Sequence, residues 1–132
     1  ESVEKAKEYG IAEHVVFLGN RNDVNELMQV MDVFVLPSLY EGVPLVLIEA
    51  QASGLSCVIS DRVSKESIVV DGLVDVKQLS QPESEWADFI LTKVKYRRKG
   101  YSVEMRKAGY DIITSSQLLQ DFYLSKIKEL EI

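Results

Sequence analysis

Two glutamates, Glu41 and Glu49, are separated by seven residues that include the apolar run Val43-Pro44-Leu45-Val46-Leu47-Ile48. A carboxylate beside apolar residues is costly unless its charge is used, because burial removes the water that solvates it. Pro44 is well placed in the first turn of a helix that would end before Gly54. Glu41 would then precede the helix and Glu49 would lie about one turn or more inside it. Both carboxylates could reach the same crevice.

The turn that leads into this helix is a candidate anion site. The segment Gly42-Val43-Pro44-Leu45-Val46 would present free backbone N–H groups, except at Pro44, which has none. A phosphate is the commonest ligand of such a turn, since the N–H groups and the helix dipole favour negative charge. With a glutamate on either side, the site suits a ligand that carries hydroxyls as well as phosphate.

The elements that would position this site alternate between strand and helix. Three predicted strands are apolar runs, at Val15–Leu18, Val33–Leu36 and Cys57–Ser60, and a fourth is predicted at Leu73–Val76, after the turn at Asp71-Gly72. Apolar strands without polar alternation are typical of a parallel sheet that is covered on both faces. In such open sheets, ligands bind beyond the carboxyl ends of the strands, and the loop that holds Glu41 follows one of these ends. We therefore predict an α/β fold with a Rossmann-like parallel sheet, as a single domain over residues 1–132.

The remainder of the chain has helical periodicity. Asp23 is predicted to cap an early helix that contains Val24, Leu27, Met28 and Met31. After Ser84 the pattern predicts three helices, from residue 84 to about residues 98–100, over 103–113 and over 117–130. The last of these would turn Leu118, Phe122 and Ile127 inward, which gives the domain a helical C-terminal tail.

Composition excludes several classes of function. The 15 basic and 21 acidic residues give a net charge of −6, which disfavours nucleic-acid binding. No apolar run approaches the roughly 18 residues of a membrane span, and the charged start of the sequence does not resemble a signal peptide. Cys57 is the sole cysteine and His14 the sole histidine, so we predict a buried inert thiol and no metal site.

Three stretches in order, "FLG", "DVFVLPS" and "EGVPLVLIEAQASGLSCVIS", resemble a known family. They are similar to the nucleotide-sugar half of the retaining group-one (family four) glycosyltransferases, which have the GT-B architecture. The hallmark of that family is a pair of glutamates with seven residues between them, matched here by Glu41 and Glu49 together with Gly42, Leu45, Ala50 and Gly54. Ser56 stands where the family usually carries proline, which alters a turn but removes no ligand group. The resemblance is strong over about Val15–Ser60 and fades in the C-terminal helices.

This resemblance implies roles for particular residues. Glu41 would be the catalytic residue, bonding hydroxyls of the donor sugar near the reacting carbon, and Glu49 would accept hydrogen bonds from the ribose hydroxyls. The remaining donor contacts would come from the turn at Gly42, from the backbone N–H groups of Val43, Leu45 and Val46, from Asn20 and Arg21 near the base, and from Ser60 and Glu66. The donor would be a nucleotide-diphosphate sugar such as a UDP- or GDP-sugar. No metal or other cofactor is expected.

The implied activity is transfer of a sugar from that donor to an acceptor hydroxyl with retention of configuration. The acceptor would be a sugar or a lipid-linked saccharide, in polysaccharide or glycolipid biosynthesis. A GT-B enzyme has two Rossmann-like domains, and this chain would supply only the donor-binding part. The acceptor domain, and the Arg and Lys that neutralise the leaving diphosphate, would lie elsewhere, so we expect the chain alone to be inactive. Missing leading strands would also leave the sheet with an exposed edge.

Other interpretations of the same residues are open. The two glutamates could be a capping charge and part of a solvated helix face. The domain could be a non-catalytic nucleotide- or phosphate-binding module, or an assembly domain that uses its helical tail as an interface. The basic run Lys93, Lys95, Arg97, Arg98 and Lys99 could be a solvated face or could contact anionic lipid. The expected location is cytoplasmic, at the inner face of the membrane if that lipid contact is made.

Overall fold

A three-stranded parallel sheet is the centre of the fold in the computed structural model, which describes residues 1–130. Its strands, in the order β1-β2-β3, are β1 (Val33–Leu36), β2 (Ser56–Ser60) and β3 (Val74–Lys77). Phe34 pairs with Cys57 and Ile59 pairs with Val76, so both pairs of strands are parallel. The predicted α/β class is confirmed, and three of the four predicted strands are present to within one residue.

The described residues also form six α-helices and two 3₁₀ turns. The helices are α1 (Ser2–Glu8), α2 (Val24–Val30), α3 (Leu45–Ala52), α4 (Glu83–Lys93), α5 (Ser102–Lys107) and α6 (Ile112–Leu130). The 3₁₀ turns are Ala12–His14 and Lys65–Ser67. Prolines precede α3 and α4, at Pro44 and Pro82, where the missing N–H removes no helical hydrogen bond.

The main core lies between one face of the sheet and the helices α2 and α3. Its fully buried members include Met28, Leu47, Cys57 and Ile59. Side chains alternate between the faces of a strand, so Val35, between Phe34 and Leu36, belongs to the opposite face. α4 lies on the side of that opposite face, where its Lys93 pairs with Asp75 of β3 at 2.6 Å. The sheet is therefore layered between helices, as its apolar strands require.

The predicted strand at Val15–Leu18 is wrong for the described structure. These residues form no strand, and Val16 is 79% exposed. An apolar run becomes a strand only when another strand supplies hydrogen-bond partners, and within residues 1–130 no strand lies beside this one. β1 lies at an edge of the described sheet, and the predicted link between that edge and missing leading strands stays a prediction.

The C-terminal helices differ from prediction in their bounds. α4 ends at Lys93, and residues 94–101 are not helical. They make polar contacts instead. The Arg98 guanidinium donates to the backbone oxygen of Met31, and the Tyr96 and Tyr101 hydroxyls are 2.6 Å apart. Partial burial and this hydroxyl pairing raise the pKa of Tyr96 to about 12.

The predicted helix over residues 103–113 is two helices. It breaks at Gly109, whose φ of +83° lies in the left-handed region and ends α5. α6 then begins at Ile112, with the Asp111 carboxylate accepting from the Thr114 N–H at 2.9 Å. The hydrogen bond from the Thr114 hydroxyl, followed by the one from the Thr114 N–H, lowers the pKa of Asp111. The break follows from turn chemistry that the apolar spacing alone does not reveal.

The apolar side chains predicted to turn inward from α6 are exposed. Leu118, Phe122 and Ile127 are each more than half accessible to solvent. Helical spacing predicts that apolar residues share a face, but it does not determine whether another element covers that face. No helix in the described residues is both long enough and apolar enough to cross a membrane.

Cys57 should react with thiol reagents only when the chain unfolds. Its side chain is fully buried and its thiol donates to the Leu55 carbonyl at 3.1 Å. Burial, with a smaller effect of the Asp75 charge, raises the pKa of this thiol to about 12. At pH 8 we expect a disulfide reagent to modify the native chain at least about a hundredfold more slowly than the chain in guanidinium. Similar rates in the two conditions would contradict this burial.

Candidate functional site

Glu41 lies in the loop after β1, where its backbone joins a second loop. Its N–H donates to the Arg62 carbonyl at 3.4 Å, and its carbonyl accepts from the Ser64 N–H at 3.1 Å. These bonds form a parallel bridge between Glu41 and Val63, just beyond the end of β2. The loop that follows β1 is thus attached to the loop that follows β2. The glutamate lies at the carboxyl edge of the sheet, as predicted.

Two serines hold the Glu41 loop from within the protein. The Ser38 hydroxyl donates to the Glu41 carboxylate at 3.2 Å. The Ser60 hydroxyl, fully buried at the end of β2, donates to the Ser38 carbonyl at 2.5 Å. Ser60 therefore supports the loop beneath Glu41. The hydroxyl proton of Ser60 is used in this bond to the loop. The predicted contact of Ser60 with a donor stays a prediction.

The N-terminus of α3 is uncapped and open to solvent. No side chain caps it, and the first N–H groups of a helix have no partner within the helix. Leu47 is the first to bond, to the Pro44 carbonyl at 3.0 Å. Gly42, Val43 and Leu45 are exposed. The predicted open helix start is present, and anion binding at it stays a prediction.

The other half of the predicted pair lies further along the same helix. Glu49 is exposed on α3, and Val46, whose N–H belongs to the first turn, is half-buried against the core. Because Glu41 precedes the helix and Glu49 lies within it, the open N-terminus has a carboxylate before it and another about one turn inside.

Gln51 is a site-supporting residue that sequence reasoning missed. It is fully buried on α3, and its amide bonds the segment that carries Glu66. Its Nε2 donates to the Ser67 carbonyl at 2.8 Å, and its Oε1 accepts from the Val69 and Val70 N–H groups at 2.8 and 3.0 Å. One signal was available: Gln51 is four residues from the buried Leu47 on the helix, so it is a polar residue at a core position.

The remaining predicted residues are Glu66, Asn20 and Arg21. Glu66 is exposed in the 3₁₀ turn, and its N–H donates to the hydroxyl of Ser64, the N-cap residue, at 3.3 Å. Asn20 and Arg21 are exposed before α2. In the part of the chain that the structure describes, no hydrogen bond or ion pair joins either of them to Glu41.

The charge of Arg21 is instead used locally. Its guanidinium bonds the Asp23 carboxylate, with 2.7 Å between Nε and Oδ1. This pair raises the pKa of Arg21 and lowers that of Asp23. Asp23 does precede α2, but its side chain does not cap the helix as predicted, because the arginine holds it.

A concavity of about 380 Å³ lies between β1 and α4. It is lined by Val35, Pro37, Leu79, Gln81, Glu83, Trp86, Ala87 and Ile90. The lining is mainly apolar and includes none of the predicted site residues. It reaches the β1 end through Pro37, which begins the loop that carries Glu41.

Comparison with known proteins identifies the family. Residues 1–94 match the family model described as glycosyl transferases group 1, which covers α1 through α4 and both glutamates. The chain belongs to the group-one glycosyltransferases. The expected resemblance is therefore confirmed over more of the chain than the stretches that carried it.

Individual group-one relatives agree with this assignment. The chain is 42% identical over 111 residues to EpsF of Bacillus subtilis (strain 168), whose name describes it as a glycosyltransferase; the match covers 82% of the chain and 29% of EpsF. It is 47% identical over 51 residues to the UDP-Gal:alpha-D-GlcNAc-diphosphoundecaprenol alpha-1,3-galactosyltransferase of Escherichia coli, covering 39% of the chain and 13% of that enzyme.

A third relative also has a diphospho-undecaprenol group in its name. It is the N,N'-diacetylbacillosaminyl-diphospho-undecaprenol alpha-1,3-N-acetylgalactosaminyltransferase of Campylobacter jejuni subsp. jejuni serotype O:2 (strain ATCC 700819 / NCTC 11168). The chain is 40% identical to it over 86 residues, covering 63% of the chain and 23% of the enzyme. The chain thus spans less than a third of the length of these relatives.

Proposed function

We propose that this chain forms the donor-binding part of a glycosyltransferase that moves a sugar from a nucleotide-diphosphate donor to an acceptor hydroxyl with retention. The observation that carries the proposal is the open N-terminus of α3 with Glu41 before it and Glu49 on it. A plain phosphate site needs only the helix N-terminus. Two carboxylates beside it add acceptors for sugar hydroxyls, as a nucleotide sugar requires.

In this proposal each group has a separate task. Glu41, fixed by Ser38, accepts from donor-sugar hydroxyls near the reacting carbon. The N–H groups of Val43, Leu45 and Val46 bond the sugar and the diphosphate, where negative charge grows as the nucleotide departs. Glu49 accepts from both ribose hydroxyls. We further propose that the cations that complete neutralisation of the diphosphate lie outside this chain, which leaves it inactive alone.

The acceptor we propose is a lipid-linked saccharide, in polysaccharide or glycolipid assembly. The names of the E. coli and C. jejuni relatives both include a diphosphoundecaprenol group. A peripheral contact with the cytoplasmic leaflet would suit such an acceptor. Of the basic run, Lys93 pairs with Asp75 and Arg98 bonds Met31, so the exposed Lys95, Arg97 and Lys99 are the cations that could contact anionic lipid.

The test is calorimetric titration of the chain with UDP, GDP and their sugar conjugates. We expect one nucleotide series to bind, and Glu49→Ala to weaken it by about tenfold or more because the ribose hydroxyls lose a charged acceptor. Asp88→Ala is the matched control, since it removes one exposed carboxylate from α4 and should leave the affinity unchanged. We propose that no metal is needed, so the same titration in EDTA should give the same affinity.

Each alternative has its own outcome. Inorganic diphosphate that binds wild type and Glu49→Ala equally, with no gain from the nucleoside, would indicate a phosphate-binding module. The exposed apolar side chains of α6, which include Leu118, Phe122 and Ile127, favour an assembly role as the second candidate. A stable dimer in sedimentation without nucleotide affinity, in this chain and in the full-length protein, would support that role and overturn the donor site.

A further inference from the structure

We propose that Gln51 is a positioning residue that sets the place of Glu41 relative to Glu49. The inference deepens the proposed function and rests on it where nucleotide affinity is concerned. Gln51 and Glu49 are two residues apart on α3, so the helix fixes their separation. Glu41 lies outside the helix and needs another connection to keep a constant distance from Glu49.

A continuous hydrogen-bonded path supplies that connection. The Gln51 Nε2 donates to the Ser67 carbonyl at 2.8 Å, and the Ser67 hydroxyl donates to the Ser64 carbonyl at 2.6 Å. The Ser64 N–H then donates to the Glu41 carbonyl at 3.1 Å. Three bonds thus lead from the interior of α3 to the backbone of the predicted catalytic residue.

The first two residues of this path are buried, and their hydrogen bonds are directional. Gln51 and Ser67 are both fully buried, and water cannot replace their bonds. All four partners of the Gln51 amide are backbone atoms, since Nε2 also donates to the Leu47 carbonyl at 3.1 Å. Apolar packing could hold the segment near α3, but only directional bonds can set its register along the helix. The direct chain connection, through the turn at 42–44, includes the exposed Gly42 and Val43.

The test uses two substitutions of similar shape. Gln51→Glu keeps acceptors for Val69 and Val70 but, when ionised, cannot donate to Ser67. Burial will raise the pKa of the introduced carboxyl, so lowering the pH restores one donor. Gln51→Met removes all polar groups and offers no recovery with pH.

The primary measurement is amide hydrogen exchange of Ser64 between pH 7.5 and pH 5.5, relative to wild type at each pH. We expect faster exchange in both variants at pH 7.5 and recovery at pH 5.5 in Gln51→Glu alone, while the Val58 amide of β2 stays protected. Nucleotide affinity should fall by about fivefold or more at pH 7.5, as for one lost hydrogen bond, and recover in the same variant alone. Glu49→Ala is the control, since it should weaken nucleotide binding without affecting Ser64 exchange.

The outcomes separate this inference from the proposed function. Wild-type exchange at Ser64 in both variants overturns the positioning role, whatever the nucleotide does. Faster Ser64 exchange in Gln51→Glu at both pH 7.5 and pH 5.5 also overturns it, because the loss of protection would then not depend on the hydrogen bond to Ser67. If Ser64 behaves as expected but neither wild type nor the full-length protein binds nucleotide, the coupling of Gln51 to Glu41 stands and the donor site fails. Should Gln51→Met not fold, the pH series on Gln51→Glu decides alone.

Discussion

Gly54→Ala should lower the free energy of unfolding by about 2 to 4 kcal/mol. Gly54 follows α3 with a φ of +68°, in the left-handed region that costs an alanine about 1 kcal/mol. A Cβ there would also overlap the carbonyl oxygen of Lys99, a backbone atom that cannot rotate away. Urea or guanidinium denaturation followed by circular dichroism measures the change.

Gly72→Ala is the matched control for that prediction. Gly72 has a φ of +73°, but no atom lies within 4 Å of the position of its Cβ. Its substitution should therefore carry the backbone penalty alone, about 1 kcal/mol. Equal losses in the two variants would show that residues 94–101 do not lie against the end of α3.

Leu47→Ala should destabilise the domain by about 2 to 5 kcal/mol. Leu47 is fully buried on α3 in the core between that helix and the sheet, and its truncation leaves a cavity that the close-packed neighbours cannot fill. The measurement is the same denaturation experiment, with the urea midpoint and slope both recorded. An unchanged slope would show that the unfolded state is unaffected.

Leu45→Ala provides the comparison within the same helix. Leu45 is 67% exposed at the start of α3, so its truncation should change stability by less than about 0.5 kcal/mol. Its backbone N–H remains, and nucleotide affinity should be retained as well. A loss at Leu45 equal to that at Leu47 would mean that this helix is oriented differently on the sheet.

Local sequence predicted the strands that pair with their chain neighbours. β1 and β2 are mainly apolar runs on either side of α3 and pair with each other, and β3 follows the turn at Gly72 and pairs with β2. The run at Val15–Leu18 has the same composition and forms no strand, because pairing depends on which other strands are present. Composition alone cannot carry that information.

The candidate site was likewise predictable only where it depends on residues close together in sequence. The placement of Glu41, Glu49 and the open turn at Pro44 follows from residue types at fixed spacing along one helix and the loop before it. The contacts of Gln51 with Ser67, Val69 and Val70 join residues 16 to 19 positions apart, and no periodicity marks them. The exposure of Phe122 on α6 was also unpredictable, since it depends on the absence of a covering element in the described chain.

The bonds around the Glu41 loop have an entropic consequence. Ordering a backbone residue costs about 1 to 2 kcal/mol, and a loop that becomes ordered only when it meets its ligand subtracts that cost from the affinity. Here Ser60 holds Ser38, and Val63 lies alongside Glu41, through bonds within the fold itself. That ordering occurs during folding instead. A ligand of the proposed site would therefore lose less affinity to the ordering of this loop.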